Sequence, residues 1–220
     1  MKITEQEQQD IKSVLWQNIK FRETIDEVYD HILSSVEEMP TEGNPGAIAR
    51  NIINTEFGGW DGIKESEQER LKAVRKYVGN RLWQYIKNWF SLPLILLTVL
   101  IAIGIYNMAG YIPRRVLFLV VFGIAMMPLP YWLKIAPCNR FSKKYKPSIK
   151  ECIAERIATF GISIFNCLLF LPGVLLNDEN YKFLRDGHIA IITPVVILYL
   201  IYGISSVKVL KEDLRISVVK

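Results

Sequence analysis

The sequence predicts an all-α protein, with an N-terminal cytoplasmic helical domain followed by a four-helix transmembrane bundle. Three observations lead there. Mean hydropathy is +0.19 although 22% of residues are charged, so apolar and charged residues must be segregated. Four stretches from position 92 onward lack Asp, Glu, Lys and Arg entirely. The charge outside them changes sign along the chain: residues 1–63 carry 5 Lys/Arg against 12 Asp/Glu, residues 64–88 carry 7 against 3, and residues 89–220 carry 15 against 7. This composition excludes disorder, collagen-like repeats and a disulfide-stapled secreted domain, and it argues against an ordinary soluble enzyme.

The head, residues 1–63, and the juxtamembrane stretch 64–90 read as four helices. Thr4-Glu5-Gln6-Glu7 is a capping box, opening a helix with Ile11, Val14 and Leu15 on one face. Phe21, Ile25, Val28, Tyr29, Ile32, Leu33 and Val36 keep helical spacing over about 16 residues. The opposite face is acidic, with Glu23, Asp26, Glu27, Asp30 and Glu37, and is a candidate partner-binding surface. Met39–Gly46 reads as a turn. Asn44-Pro45 forms an N-cap and first helical residue for a third helix carrying Ile48, Ile52, Ile53 and Phe57. Gly58-Gly59 stops it, and Asp61 is expected to cap a fourth helix with Leu71, Val74, Val78, Leu82 and Ile86. No flexible linker follows, so this helix is expected to continue into the first span, with Pro93 as a site of interruption.

The spans are 92–112, 116–133, 157–176 and 187–207, within the domain 91–207. At 1.5 Å per residue they are roughly 27–32 Å long, the thickness of a hydrocarbon core. Tyr85, Trp89, Phe90, Tyr131, Trp132, Tyr181 and Phe183 mark the interfaces. The 134–156 connection and the tail 208–220 hold eleven Lys and Arg, against four in the opposite connections. The positive-inside rule therefore places both termini in the cytoplasm. The polar start Met1-Lys2-Ile3-Thr4-Glu5 leads to the expectation of no cleaved signal peptide. Pro128 and Pro130 are expected to kink or end the second span, and Pro172 and Pro194 to bend the third and fourth.

Within the head, Glu27-Val28-Tyr29-Asp30-His31-Ile32-Leu33, the Ala-Ile helix after it and Phe57-Gly58-Gly59 resemble the HAAS domain. This HTH-associated α-helical signalling domain precedes transmembrane helices in small bacterial membrane proteins. The resemblance covers about residues 20–65. It implies a role in signalling or in regulating a membrane process, and it brings no catalytic residues.

Phosphate-binding glycine loops, nucleophile elbows and H-E-x-x-H are absent from the sequence, and neither a catalytic residue, a cofactor nor a metal is expected. His31 reads as solvated or salt-bridged on its acidic helix. His188, beside Asp178, Glu179 and Asp186, reads as an interfacial histidine, with an outward-facing metal or proton site as the sharper alternative. Cys138 and Cys152 read as reduced thiols flanking the basic loop, and Cys167 as a small apolar packing residue. Asn166, and Thr159 with Ser163 as a small-xxx-small pair, are expected to pack helices together. Arg140, Lys143, Lys144, Lys146 and Lys150 form a basic patch suited to anionic lipid or to docking the acidic head. Nucleic acid is excluded because so short a patch is pressed against a negatively charged membrane. The expected partners are membrane lipids and a protein, or a second copy, bound through the head. The function expected is that of a bacterial inner-membrane protein with a cytoplasmic interaction or regulatory domain. The alternatives are a small transporter or channel subunit and, more remotely, an enzyme acting on lipid.

Overall fold

The Thr4 hydroxyl accepts the Glu7 N–H while the Glu7 carboxylate accepts the Thr4 N–H, so the capping box forms as expected and opens α1 (Glu5–Asn18). The computed structural model describes residues 4–38, 45–109, 111, 114–136, 145–167 and 189–214. Among them the regular structure is helical throughout: α2 (Arg22–Glu38), α3 (Pro45–Thr55), α4 (Gly59–Asn88), α5 (Leu92–Ala109), α6 (Arg114–Ala125), α7 (Leu129–Ile135), α8 (Ile149–Phe165) and α9 (Ile189–Glu212). Of the turn expected over Met39–Gly46, residues 39–44, with the N-cap Asn44, lie outside the described residues; Pro45 is the first helical residue of α3 as expected, and Gly46 follows it in the helix rather than in a turn.

The chain divides into two units. The first, the head, takes residues up to Lys76 and a later segment ending at Ile149. Its core is almost wholly branched aliphatic: Ile11, Leu15, Ile19, Ile25, Val28, Ile32, Val36, Ile52, Ile53 and Ile63 are buried. Burying each such side chain contributes about 1.5–3 kcal/mol before the cost of ordering the chain. Val14, expected on the same face as Ile11 and Leu15, is instead 46% exposed. Gly58 and Gly59 adopt φ of 67° and 76°, a left-handed backbone that glycine enters without steric cost; α3 stops just before them, at Thr55, so Phe57, expected on this helix, lies beyond its end. Helix α4 begins immediately at Gly59. Asp61 is therefore inside the first turn rather than at the cap, where its charge still opposes the helix dipole favourably.

The second unit takes Tyr77 to Pro137 and everything after Ile149. The expected unbroken run from the fourth helix into the first span is interrupted at Trp89–Ser91, where the chain turns by 71° before α5. Trp89, Phe90 and Ser91 donate to Ile86, Lys87 and Asn88 in tighter three-residue turns, and Pro93 in the next turn supplies no N–H. The second apolar stretch likewise forms two helices, α6 and α7, separated at Met126–Pro128, as Pro128 and Pro130 require. Helix α8 starts at Ile149, eight residues before the third apolar stretch, and carries Lys150, Glu151, Glu155 and Arg156 in its first turns. The remainder of that stretch, 168–176, lies outside the described residues. Helix α9 extends past the fourth stretch to Glu212 with Pro194 inside it. It is the one described helix that is by itself long and apolar enough to cross a membrane, and α4 with α5 pass the same test only as a bent pair.

Contacts fix the directions of these helices. Tyr106, late in α5, shares a shallow groove with Thr193, early in α9, while Arg81 and Tyr85, before α5, reach Asp213 and Glu212 at the end of α9. Helices α5 and α9 are thus antiparallel. Gly203 of α9 faces Ile124 and Met127, and Val196 and Tyr199 share a core with Val121 and Phe165, so α6 runs with α9. The Tyr202 hydroxyl donates to the Ile157 carbonyl (2.8 Å), and α8 runs against α9. A Cβ at Gly161 would lie 3.2 Å from the Ala125 carbonyl oxygen and 3.2 Å from the Tyr202 ring, so a side chain here would push its neighbours apart by a few tenths of an ångström. The small residues that carry this packing are Ala154, Ala158 and Gly161, all buried. The expected pair, Thr159 and Ser163, faces away and bonds back to its own helix at Glu155 and Thr159.

Candidate functional site

Between α1 and α2 the chain passes through Ile19-Lys20-Phe21, where the Ile19 N–H still reaches the Leu15 carbonyl and the Phe21 carbonyl accepts the Ile25 N–H. The Lys20 and Phe21 N–H groups and the Ile19 carbonyl need partners from elsewhere if they are to be buried. Two distant segments supply them. The buried carboxylate of Glu67, on α4, accepts the Phe21 N–H (2.9 Å) and the Lys20 N–H (3.4 Å). A negative group at this position also complements the positive end of the α2 dipole. The second source is the stretch just before α8. Lys146 donates to the Ile19 carbonyl (2.8 Å), which lies at the electronegative end of α1, and its ammonium stands 5.9 Å from the Trp16 ring centre. The Pro147 carbonyl accepts the Arg22 N–H (3.3 Å). The Ser148 hydroxyl and the Ile149 N–H both donate to the Glu23 carboxylate. The α1–α2 corner is therefore closed by residues more than a hundred positions downstream.

This arrangement sorts the candidate residues. Of the basic patch, Lys146 lies against the head, Lys150 is exposed in the first turn of α8, and Arg140, Lys143 and Lys144 lie outside the described residues. Of the acidic face, Glu23 is engaged by Ser148 and Ile149. Glu27 pairs with Arg70 at 2.6 Å; the hydrogen bond from Arg70 holds its carboxyl below the usual range, against a smaller opposing effect of burial. Asp26, Asp30 and Glu37 are exposed. His31 meets Glu56, just after α3, at 2.5 Å and stands edge-on to Phe57, ring centres 5.3 Å apart. The acidic helix is thus partly occupied by its own unit, and its free charge is concentrated at Asp26 and Asp30.

Beside this corner the head carries a cleft of about 550 Å³ between α1 and α3. Val14, Ile11, Leu15, Ala49, Ile53 and Trp60 give it an apolar floor, and Glu7, Asp10 and Arg50 a charged rim. Exposed Val14 belongs to this cleft, which explains its departure from the core.

In the second unit, Arg81 donates to Asp213 (3.1 Å) and to the Tyr85 oxygen (3.1 Å), and the Tyr85 hydroxyl donates to Glu212 (2.9 Å). Lys208 lies over the Tyr85 ring at 4.6 Å. Burial, then the hydrogen bond to Glu212, pushes the Tyr85 phenol up to about 12. Sequence reasoning assigned Tyr85 to an aromatic belt and passed over Arg81, Asp213 and Glu67. The start of α2, where Phe21 takes the cap position without a side-chain acceptor, would have been the signal that an acceptor such as Glu67 comes from elsewhere.

The remaining candidates do not converge. Cys152 is half-buried, Cys167 is exposed rather than packed, and Asn166 is half-buried. His188, Asp178, Glu179, Asp186 and Cys138 lie outside the described residues. Among the described residues no three His, Cys, Asp or Glu side chains gather as a metal would need. Compared with family models, with curated proteins and with solved structures, the chain matches none. Chemically, the arrangement is one of polar contacts between helices and a returning segment.

Proposed function

We propose that the chain is an integral protein of the bacterial inner membrane whose acidic helical head is a signalling or regulatory module. In this reading the segment 145–149 holds the head, and a protein partner or a second copy competes for it. The observation that carries the reading is the closure of the α1–α2 corner by Lys146, Pro147 and Ser148. These bonds join the acidic helix and its N-terminal corner to the loop between the second and third apolar stretches, and each is worth only about 1–3 kcal/mol, so a partner can displace them. The HAAS-like residues of α2 and α3 point the same way.

The membrane location is supported by the outer surface of the second unit. Leu92 is 82% exposed and Leu100 66%, with Leu96, Ile103 and Met108 also turned outward, a surface that water does not tolerate and lipid does. Four crossings agree with the helix directions: α5 away, α6–α7 back, α8 away and α9 back. That path leaves both termini and the 134–156 loop on the cytoplasmic side.

Two measurements test this. An impermeant maleimide should label Cys138 in inverted membrane vesicles and leave it unlabelled in intact spheroplasts; the reverse pattern overturns the topology. Lys146→Glu should speed tryptic cleavage at Lys143 and Lys144. Unchanged cleavage would mean that the segment does not hold the head. A second reading, a transporter or channel subunit, draws on the helix break at Met126–Pro128, since broken helices can line a substrate path. Saturable flux through reconstituted protein, abolished by altering Asn166 or His188, would favour it.

A further inference from the structure

Two lysines of the second unit lie over aromatic rings that the unit itself leaves uncovered. Trp83 and Lys87 are one turn apart on α4, with the ammonium 5.6 Å from the ring centre and Trp83 56% exposed. Tyr131 and Lys134 repeat the pattern on α7, again at 5.6 Å, beside Leu133, which is 57% exposed. Neither Lys87 nor Lys134 meets a carboxylate among the described residues. Both pairs belong to the same end of the unit: α7 finishes where α9 finishes, and Arg81 and Tyr85 tie α4 to that end of α9.

The turn at Trp89–Ser91 fixes how α4 approaches this level. With α5 upright, a 71° bend means that the helix from Tyr77 to Asn88 climbs only about 5 Å over its roughly 16 Å length. That climb is about the thickness of one headgroup layer. Amphipathic rings favour that layer, and a lysine stem can lie along the ring while its ammonium reaches the phosphates.

We propose that the Trp83–Lys87 and Tyr131–Lys134 pairs are seats for anionic phospholipid headgroups, with the last turns of α4 lying along the cytoplasmic surface of the bilayer. This rests on the membrane-spanning reading above. The ring of each pair takes the acyl boundary and the ammonium takes the phosphate. Both lipid classes offer a phosphate, but in a zwitterionic headgroup its charge is balanced by the lipid's own cation, so a net-negative headgroup holds the ammonium more strongly.

The full-length chain is reconstituted in phosphatidylcholine vesicles with acyl chains brominated near the carbonyl, with and without one-third phosphatidylglycerol. Trp83→Phe should remove a resolved share of the lipid quenching of tryptophan emission. Lys87→Gln with Lys134→Gln should lower the phosphatidylglycerol retained by the purified protein at least twofold, with the helical circular dichroism unchanged. Identical quenching of the wild type and Trp83→Phe, or unchanged phosphatidylglycerol retention, overturns the proposal. So does a Trp83 shielded from both lipid and aqueous iodide, which marks a protein contact instead. Resistance to alkaline carbonate extraction separates the two levels. A chain that resists extraction but fails these tests keeps its spans and loses only the headgroup seats. A chain that is extracted loses both.

Discussion

The head and the apolar unit are both packed from helices, yet they close their contacts by opposite means. In the head, bulky aliphatics fill the interior and charged side chains reach across to backbone groups: Glu67 to Phe21, Lys146 to Ile19, Glu23 to Ile149. In the apolar unit, glycine and alanine bring backbones together at Gly161 and Gly203, and bulky aliphatics are turned outward. The difference teaches where the driving force lies. Water pushes Ile and Leu into the head's interior; on the membrane reading proposed above, a solvent as apolar as leucine would leave close packing as the main gain in the second unit.

The largest effect that can break or sharpen this contrast is expected at Leu15, which is fully buried. Leu15→Ala should cost about 2–5 kcal/mol, read as a shift of the head's denaturant transition with the apolar unit's transition unmoved. If both shift together, the two regions do not differ as described. Gly161→Leu is the mirror experiment. Forcing a side chain against the Ala125 carbonyl and Tyr202 should cost about 1–3 kcal/mol, seen in thermal unfolding in detergent while the head's transition stays fixed. Glu67→Gln comes next, at about 1–2 kcal/mol, because buried donors lose their charged acceptor. Hydrogen exchange at the Phe21 and Lys20 amides should accelerate, and unchanged protection would remove Glu67 from the corner.

Two smaller effects depend on pH. The folded Tyr85 phenol titrates near 12, above the roughly 10 of an unfolded tyrosine. Its stabilising contribution is therefore complete below pH 10 and is lost as pH rises through 12. Tyr85→Phe should flatten the alkaline limb of the stability profile; an unaltered limb contradicts the assignment. The Glu27 carboxyl shifts the other way, so the Glu27–Arg70 contribution is present above the unfolded carboxylate range and fades as pH falls through the lowered folded value. Both partners are solvent-accessible, so Glu27→Gln should cost no more than about 0.5 kcal/mol, and less in high salt.

Much of this architecture was legible locally. The capping box, the Gly58-Gly59 stop and the proline break in the second apolar stretch rest on signals within four residues of where they act. What escaped was set by partners far away in sequence. Glu67 meets Phe21 across 46 residues and Glu23 meets Ser148 across 125, and neither spacing has a periodic signature. The start of α8 was hidden for a different reason. Charge interrupts a hydropathy reading at Lys150, Glu151, Glu155 and Arg156, but it does not interrupt a helix, since all four are good helix formers. Gly161 was missed because hydroxyl-bearing residues looked like the packing pair, when their own helix already satisfied them.

The closure of the α1–α2 corner also imposes an order on biosynthesis. Ile149 is added 126 residues after Glu23, and at about 5–20 residues per second that is a delay of roughly 6–25 s. Until then the partners that Lys146, Ser148 and Ile149 supply to Trp16, the Ile19 carbonyl and Glu23 have not been synthesised. The corner of a newborn chain therefore reaches its final form last, when Lys146 and the residues after it arrive.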